Sequence, residues 1–173
     1  LRPMIGVIGT SPATDSVPTG EPRQHGGNMD TKEIVAGSTL YLPVAVPGAN
    51  LSLGDVHAVM GDGEVAVCGA EIAAEVKIRV TVLPGRPLPL PFLDSGDAVY
   101  TISSELDLTD AVKESTRMMR DWLVDVSPLD PTDALMLLSL TGDTQISQIV
   151  DPRMTARFRL PKTILEQCGV KLP

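Results

Sequence analysis

The sequence predicts a mainly β fold with an α+β part in its C-terminal half. Its 173 residues include 15 Gly and 15 Pro, and these lie between short apolar runs, which is typical of a turn-rich β protein. The strongest periodicity runs from residue 70 to residue 83, where apolar side chains alternate with mostly polar ones. This period of two predicts a long, half-buried strand. Helix-capping patterns occur only after it.

In the N-terminal half, apolar runs at 4–8 and 40–46 predict two further strands, separated by a polar loop. Pro84-Gly85 and the prolines that follow end the long strand and form a stiff connector. We therefore expect a β-rich segment at 1–95 and an α+β segment at 96–173 packed on it, which could together form one domain.

In the C-terminal half, capping and alternation predict two or three short helices among strands. The expected elements are a strand at 97–103, a helix capped by Thr109, a helix that begins at Asp130-Pro131 and ends at Gly142, strands at 144–150 and 155–160, and a short helix at 161–168. Arg157 and Arg159 alternate with apolar residues, and this pattern favours a solvated strand face.

Composition excludes several classes of protein. Asp and Glu number 22 against 14 Lys and Arg, a net charge of −8, so a basic surface for nucleic acid is not expected. No apolar run approaches the roughly 18–20 residues of a membrane span, and we expect a soluble protein without a membrane partner. Two cysteines form no disulfide framework, which favours a reducing, cytoplasmic location. The start, Leu1-Arg2-Pro3, has neither an initiator Met nor a signal peptide, which suggests a fragment or a processed chain.

Both histidines of the chain lie in Gly-rich, carboxylate-bearing segments. His25 precedes Gly26-Gly27 and Asp30, and His57 follows Asp55. Imidazole and carboxylate groups are the usual ligands of divalent ions. Along an extended segment Asp55 and His57 would point to one side, and Asp62 and Glu64 share that spacing. Acids beside Gly are also common in solvated turns, so both interpretations remain open, although the coincidence of both histidines favours a site.

Several of these segments together resemble the acetamidase/formamidase family. They are 20–30, 40–44, 53–64 with Cys68-Gly69, 138–143 and 146–152. The resemblance implies jelly-roll-like β-sandwich sheets with an α+β portion. It also implies hydrolysis of short amides such as formamide and acetamide to a carboxylate and ammonia, with γ-lactams as related substrates. Members form oligomers, and the N-terminal third or more of the family has no counterpart here. We therefore expect a homo-oligomer or pairing with such a segment.

The resemblance also implies a divalent metal. His57 and Asp55 are the candidate ligands, with His25 and Asp30 converging from the other loop. Zinc is the first choice, and manganese, iron and calcium are alternatives.

Amide hydrolysis needs an activated water, a stabilised oxyanion and a proton for the departing nitrogen. Glu64 is the candidate general base, Asp62 is its neighbour, and Asn28 could hold the substrate carbonyl. Cys68 is expected to be a small buried apolar residue rather than a nucleophile, and Glu71 a solvated residue on the long strand.

Two other functions remain open. The chain could be a non-catalytic β-rich module for binding or assembly, or its Gly-Asp loops could hold a purely structural cation. An enzyme should lose activity with a chelator and regain it with a transition metal, whereas a structural site should only change the melting temperature.

Overall fold

The structure of the protein is a computed structural model that describes residues 1–85 and 88–172. Its elements, in chain order, are β1 (Met4–Gly9), β2 (Gly26–Asn28), β3 (Thr39–Tyr41), β4 (Ser52–His57), β5 (Phe92–Ser95), β6 (Ala98–Glu105), α1 (Leu108–Val126), α2 (Pro131–Thr141), β7 (Asp143–Gln148), β8 (Met154–Pro161) and α3 (Lys162–Gln167).

The strands form two antiparallel sheets. In the three-stranded sheet β1 lies between β2 and β4, and the other sheet has the order β3-β5-β6-β8-β7. These sheets and three helices confirm the predicted mainly β fold with an α+β part. The larger sheet takes strands from both sides of residue 95, and the division into two segments stays a prediction.

Two apolar clusters hold the layers together. One joins the five-stranded sheet to the helices and contains Phe92, Phe158, Trp122 and Leu138. The other joins the two sheets through side chains that include Ile8, Met29, Tyr100 and Ile102. Because β6 contributes alternate residues to the two clusters, this central strand is buried on both faces.

The helix boundaries follow local capping chemistry. For α2, Asp130 caps the first turn, Pro131 is its first residue, and the helix ends at Gly142, as predicted. For α1 the prediction of Thr109 as the cap is wrong, because Asp107 accepts hydrogen bonds from the backbone N–H groups of Thr109 and Asp110. Both residue types suit the cap position, and the helix begins at the earlier one.

The largest difference from the prediction is the segment at 70–83. It is extended, but Glu71 alone forms a bridge, to His57, and the side chains are largely exposed. Ile78 is 44% exposed and Val80 is 65% exposed. The predicted half-buried strand is therefore wrong: the alternation is present, but beyond the contacts of residues 70–72 with β4 and the residues after it, no strand among the described residues pairs with the segment.

Two predictions about single side chains are also wrong. Cys68 is exposed rather than buried. Arg157, expected on a solvated face, is completely buried because its side of β8 faces the three-stranded sheet. Among the described residues, no helix is long and apolar enough to cross a membrane.

Candidate metal and catalytic site

His57 ends β4 and is the centre of the candidate site. Its side chain is fully buried, and its Nε2 atom lies 3.2 Å from Asp55 Oδ1 and 3.0 Å from Glu71 Oε1. Asp55 and His57 therefore lie together, although the φ angle of 55° at Asp55 departs from the extended backbone on which that prediction rested. The side chain of Glu71 is 56% exposed, as expected for a solvated residue, and it also contacts the imidazole from the start of the extended segment. A carboxylate on one ring nitrogen fixes which nitrogen carries the proton.

The opposite nitrogen of His57 faces a second pair of carboxyl groups. Asp30 Oδ1 lies 3.8 Å from Nδ1, and ligand atoms of Asp30, His57 and Glu64 all lie within 4.8 Å of one another. All three residues are buried, and we call them the buried cluster. Neither Asp30 Oδ1 nor His57 Nδ1 has a hydrogen-bond partner in the described structure. Unpaired buried polar atoms are costly, so an imidazole nitrogen and carboxylate oxygens left facing one another fit a divalent cation.

The electrostatics of the site are unfavourable without such a cation. Burial raises the pKa of Asp30 to about 8, and the charges of Glu64, Asp55 and Asp151 act in the same direction. Burial also raises the pKa of Glu64, although His57 opposes the shift. Carboxyl groups that are desolvated and crowded by like charges resist ionisation. A cation would remove that penalty.

Asp151 joins this site from the far end of the chain. Asn28 Nδ2 donates a hydrogen bond of 2.9 Å to Asp151 Oδ2, across 123 residues of sequence. Burial raises the pKa of Asp151 to about 6, and the charge of Glu64 adds to the effect. Asn28 Oδ1 is buried without a described partner. Asn28 therefore keeps a free acceptor beside the acids.

Four predicted site residues lie outside the buried cluster: Asp55 and Asn28, whose contacts are given above, and His25 and Asp62. His25 packs against Gly9 and Gly27 and belongs to neither group of ligating side chains found in the described part of the chain. Asp62 accepts a hydrogen bond from Arg157 at 2.8 Å and lies 3.0 Å from Lys32 Nζ. The assigned roles of His25 as ligand and of Asp62 as neighbour of the base stay predictions.

The backbone around the site has unusual conformations. Asp30, Asp55 and Glu64 have positive φ angles of 44°, 55° and 46°, which cost non-glycine residues free energy and often occur at functional sites. Gly6 in β1 also matters, because a Cβ atom there would overlap carboxylate oxygens of Asp30 and Asp55. The glycine allows those two acids to approach each other.

Sequence reasoning missed Asp151, Glu71 and Gly6 as site residues. Asp151 lies in a segment that carries the family resemblance, and this was the one available signal for it. Glu71 follows the Cys68-Gly69 motif closely, but its strand pattern favoured a solvated face. No pattern in the sequence marks Gly6.

Comparisons with known proteins show which family this chain resembles. The model of the Acetamidase/Formamidase family matches residues 4–91. Formamidase from Methylophilus methylotrophus is 44% identical over 72 residues, which is 41% of this chain and 18% of that enzyme. Acetamidase from Mycolicibacterium smegmatis is 43% identical over 74 residues, or 42% of this chain and 18% of the enzyme.

Among solved structures, acetamidase from Bacillus halodurans superposes with a TM-score of 0.96 at 48% identity, over 98% of this chain and 58% of that one. The chain thus spans little more than half the length of this relative. The matched family model includes β1 to β4 and the residues of the buried cluster. On this evidence the chain belongs to the acetamidase/formamidase family.

Proposed function

We propose that this chain forms the cation-binding part of an amidohydrolase that cleaves short linear amides to a carboxylate and ammonia. The observation that supports this most directly is the pair of buried, unpartnered atoms, His57 Nδ1 and Asp30 Oδ1, next to Glu64. The relatives named formamidase and acetamidase supply the substrate class. γ-Lactams contain the same amide group in a ring, and we include them in the proposal.

Three protein ligands and an open position are typical of a catalytic metal. Asp30, His57 and Glu64 would supply the three, and this mixed donor set suits zinc first, then manganese or iron. When bound, a divalent cation there would lower the pKa of a water molecule and polarise the amide carbonyl. Glu64, predicted to be the base, is thereby proposed as a ligand, because its carboxylate lies with the other two.

Asp55 and Glu71 would orient His57 rather than bind the cation. Both approach Nε2, and an N–H there donating to them leaves the Nδ1 lone pair free to coordinate. Carboxylates commonly hold a metal-binding histidine in this way. The sequence predicted Asp55 to be a ligand. In this proposal it instead accepts a hydrogen bond from Nε2, the ring nitrogen opposite the one that would bind the cation.

Asp151 and Asn28 would handle the substrate and its protons. Asp151 accepts from Asn28 Nδ2 and is the carboxylate beside the buried cluster that we propose as the proton acceptor. Asn28 Oδ1 has no described partner and can accept a hydrogen bond from the N–H of a primary amide. This differs from the sequence-based prediction, in which Asn28 holds the substrate carbonyl rather than the substrate N–H.

Two variants separate these roles. Glu64→Gln should raise the dissociation constant for Mn²⁺ at least ~10-fold, because a charged ligand is lost. Asp151→Asn should leave Mn²⁺ binding nearly unchanged and abolish amide turnover. Equal Mn²⁺ affinity in Glu64→Gln and the parent would refute the ligand assignment, and normal turnover by Asp151→Asn would refute the base assignment.

The activity is tested with the 173-residue chain by ammonia release from formamide and acetamide, and by the ring opening of a γ-lactam to its amino acid. Ammonia release should stop after chelation and return with Zn²⁺ or Mn²⁺. Cation binding without hydrolysis of any of these amides would contradict the enzymatic proposal and favour the alternative, a non-catalytic assembly module with a structural cation. In that case Ca²⁺ should shift the melting temperature.

We also propose that the segment at 73–83 pairs with a β-strand of another polypeptide. That polypeptide would be equivalent to the part of the solved relatives that this chain does not match. The superposition covers 98% of this chain but 58% of the Bacillus halodurans enzyme, so additional polypeptide is available there to cover the segment. In the described structure these residues make no backbone hydrogen bond, and their apolar side chains are exposed except for that of Val76, which is half-buried. An unpaired extended segment of this kind favours strand addition.

Hydrogen exchange tests this docking. Amides at 73–83 should be unprotected in the chain alone and protected after co-expression with the unmatched part of the Bacillus halodurans enzyme. The substitutions Ile78→Lys and Val80→Lys together should prevent the protection. Protection in the chain alone, with a dimer mass that the same variant abolishes, would instead support a homo-oligomer.

A further inference from the structure

Arg157 lies in the middle of β8, and its side chain has 0% exposure. Among the described Lys and Arg residues, it is the one that is fully buried. Its Nε atom lies 2.7 Å from Glu33 Oε2, and its Nη2 atom donates to Glu33 Oε1 at 3.1 Å and to Asp62 Oδ1 at 2.8 Å. A buried arginine is tolerated only with such partners, so these contacts are a fixed part of the structure.

The two partners of Arg157 lie in the loops that carry the acids of the buried cluster. Glu33 follows Asp30 by three residues, and Asp62 precedes Glu64 by two. One guanidinium group therefore connects both loops. Because guanidinium is planar and presents a rigid fork of donors, it orients Glu33, which it contacts through both carboxylate oxygens, and fixes the distance from Glu33 to Asp62.

Further contacts link Arg157 and both loops to the end of β7. Arg157 Nη1 donates to Ser147 Oγ at 3.1 Å, and that hydroxyl lies 2.8 Å from Thr31 Oγ1. Gly63 donates its N–H to Ser147 O at 3.0 Å. Ser147 thus contacts Arg157 and both loops at once. It contacts one loop at Thr31, one residue after Asp30, and the other at Gly63, one residue before Glu64.

A separate anchor is needed because Asp30 and Glu64 repel each other when both are ionised. Arg157 does not contact either of them. Its charge is matched by Glu33 and Asp62, so it holds the loops together without occupying the ligands.

We propose that Arg157 is a positioning residue that keeps the Asp30 and Glu64 loops at cation-binding distance. The proposal rests on the cation site proposed above, and it concerns how that site is preorganised before a cation binds. Preorganised ligands bind more tightly because the cost of ordering them is already met by the fold.

The test uses a charge-balanced double variant, Arg157→Met with Glu33→Gln, so that no buried charge is left unpaired. Mn²⁺ affinity measured by calorimetry should fall at least ~10-fold, as for other outer partners of metal ligands. The cation-free protein should still unfold cooperatively. Arg157→Lys should recover part of the affinity, because one ammonium group cannot engage both carboxylates with the same geometry.

Arg159→Met is the matched control on the same face of β8. Arg159 pairs with Asp97 and Asp143, both exposed, and its loss should change Mn²⁺ affinity by no more than about twofold, since exposed ion pairs contribute little. A folded double variant with the affinity of the parent would overturn the proposal. If the double variant does not fold, the Mn²⁺ affinity of Arg157→Lys is the test instead. An affinity equal to that of the parent would also overturn the proposal.

A readout without any cation separates this proposal from the cation site itself. Hydrogen exchange at the Gly63 amide, which donates to Ser147 O, should be faster in Arg157→Lys and unchanged in Arg159→Met. If the parent bound no divalent cation, the proposed cation site would be wrong. The Gly63 exchange rate would still test whether Arg157 holds the Asp30 and Glu64 loops together. Unchanged exchange in Arg157→Lys would refute it.

Discussion

Gly69 lies directly against the ring of His57: a Cβ atom built on Gly69 would be 2.7 Å from both Cγ and Nδ1 of that histidine. Nδ1 is also the ring nitrogen that faces Asp30. The absence of a side chain at Gly69 therefore leaves room for the imidazole in the orientation that the proposed site needs.

Gly69→Ala should displace His57 and weaken Mn²⁺ binding at least ~10-fold, with a loss of about 1–3 kcal/mol in stability from overpacking. Gly61→Ala is the control, because a Cβ atom at Gly61 would meet no atom within 4 Å. Calorimetry and denaturant unfolding measure the two effects. Parental binding by Gly69→Ala would show that the ring position does not govern the site.

Asp30→Asn should make the cation-free chain more stable. The buried carboxyl group of Asp30 lies among other acids, which raises its pKa, so near neutral pH the folded chain must either take up a proton there or keep a repelled charge. Asn requires neither, which should stabilise the fold by about 1–3 kcal/mol. The same substitution should abolish stabilisation by Mn²⁺. Asp15→Asn, at an exposed position, should change neither quantity. Lower stability of Asp30→Asn without cation would contradict the electrostatic account.

The stability of the cation-free chain should decrease as pH rises. The pKa of Asp30 is raised from 3.8 to about 8, so between these values the folded chain retains a proton that the unfolded chain has lost. Stability falls with pH wherever the folded state binds more protons. Urea unfolding at about pH 5 and about pH 8, with a chelator present, measures the slope. A rise in stability over this range, or an unchanged slope in Asp30→Asn, would be inconsistent with the raised pKa.

The cap of α1 gives a prediction that is independent of the site. Asp107→Ala removes the side chain that accepts from Thr109 N at 2.8 Å and should cost about 1 kcal/mol. Thr109→Ala should cost less, because its side chain is not the cap. Urea unfolding of the two variants ranks them directly, and Mn²⁺ affinity should stay at the parental value in both. A larger loss in Thr109→Ala would reverse the cap assignment.

Local sequence signals predicted the elements whose causes are local. Asp130, Pro131 and Gly142 bound α2 because capping and proline geometry act within a few residues. The spacing of Asp55 and His57 also predicted that they lie close together, although it did not predict the left-handed backbone at Asp55. At α1 two acceptable caps lay two residues apart, and the pattern could not distinguish them.

Features that depend on distant contacts could not be predicted in this way. Alternation at 70–83 identifies two faces of an extended segment, but it carries no information about whether a strand lies alongside. Arg157 alternates with apolar residues like any solvated strand residue, and only the packing of one sheet on the other buries it. Asp151 meets Asn28 across 123 residues, a relation that no spacing rule encodes.

The central claim is that Asp30, His57 and Glu64 together hold a divalent cation. Calorimetric titration of Mn²⁺ and Zn²⁺ into the chelator-treated chain, compared with His57→Gln, tests it most directly. We predict one binding site per chain in the parent, and at least ~10-fold weaker binding in the variant, because a metal ligand is lost. Binding of equal strength in both proteins, or no binding in the parent, would contradict the account.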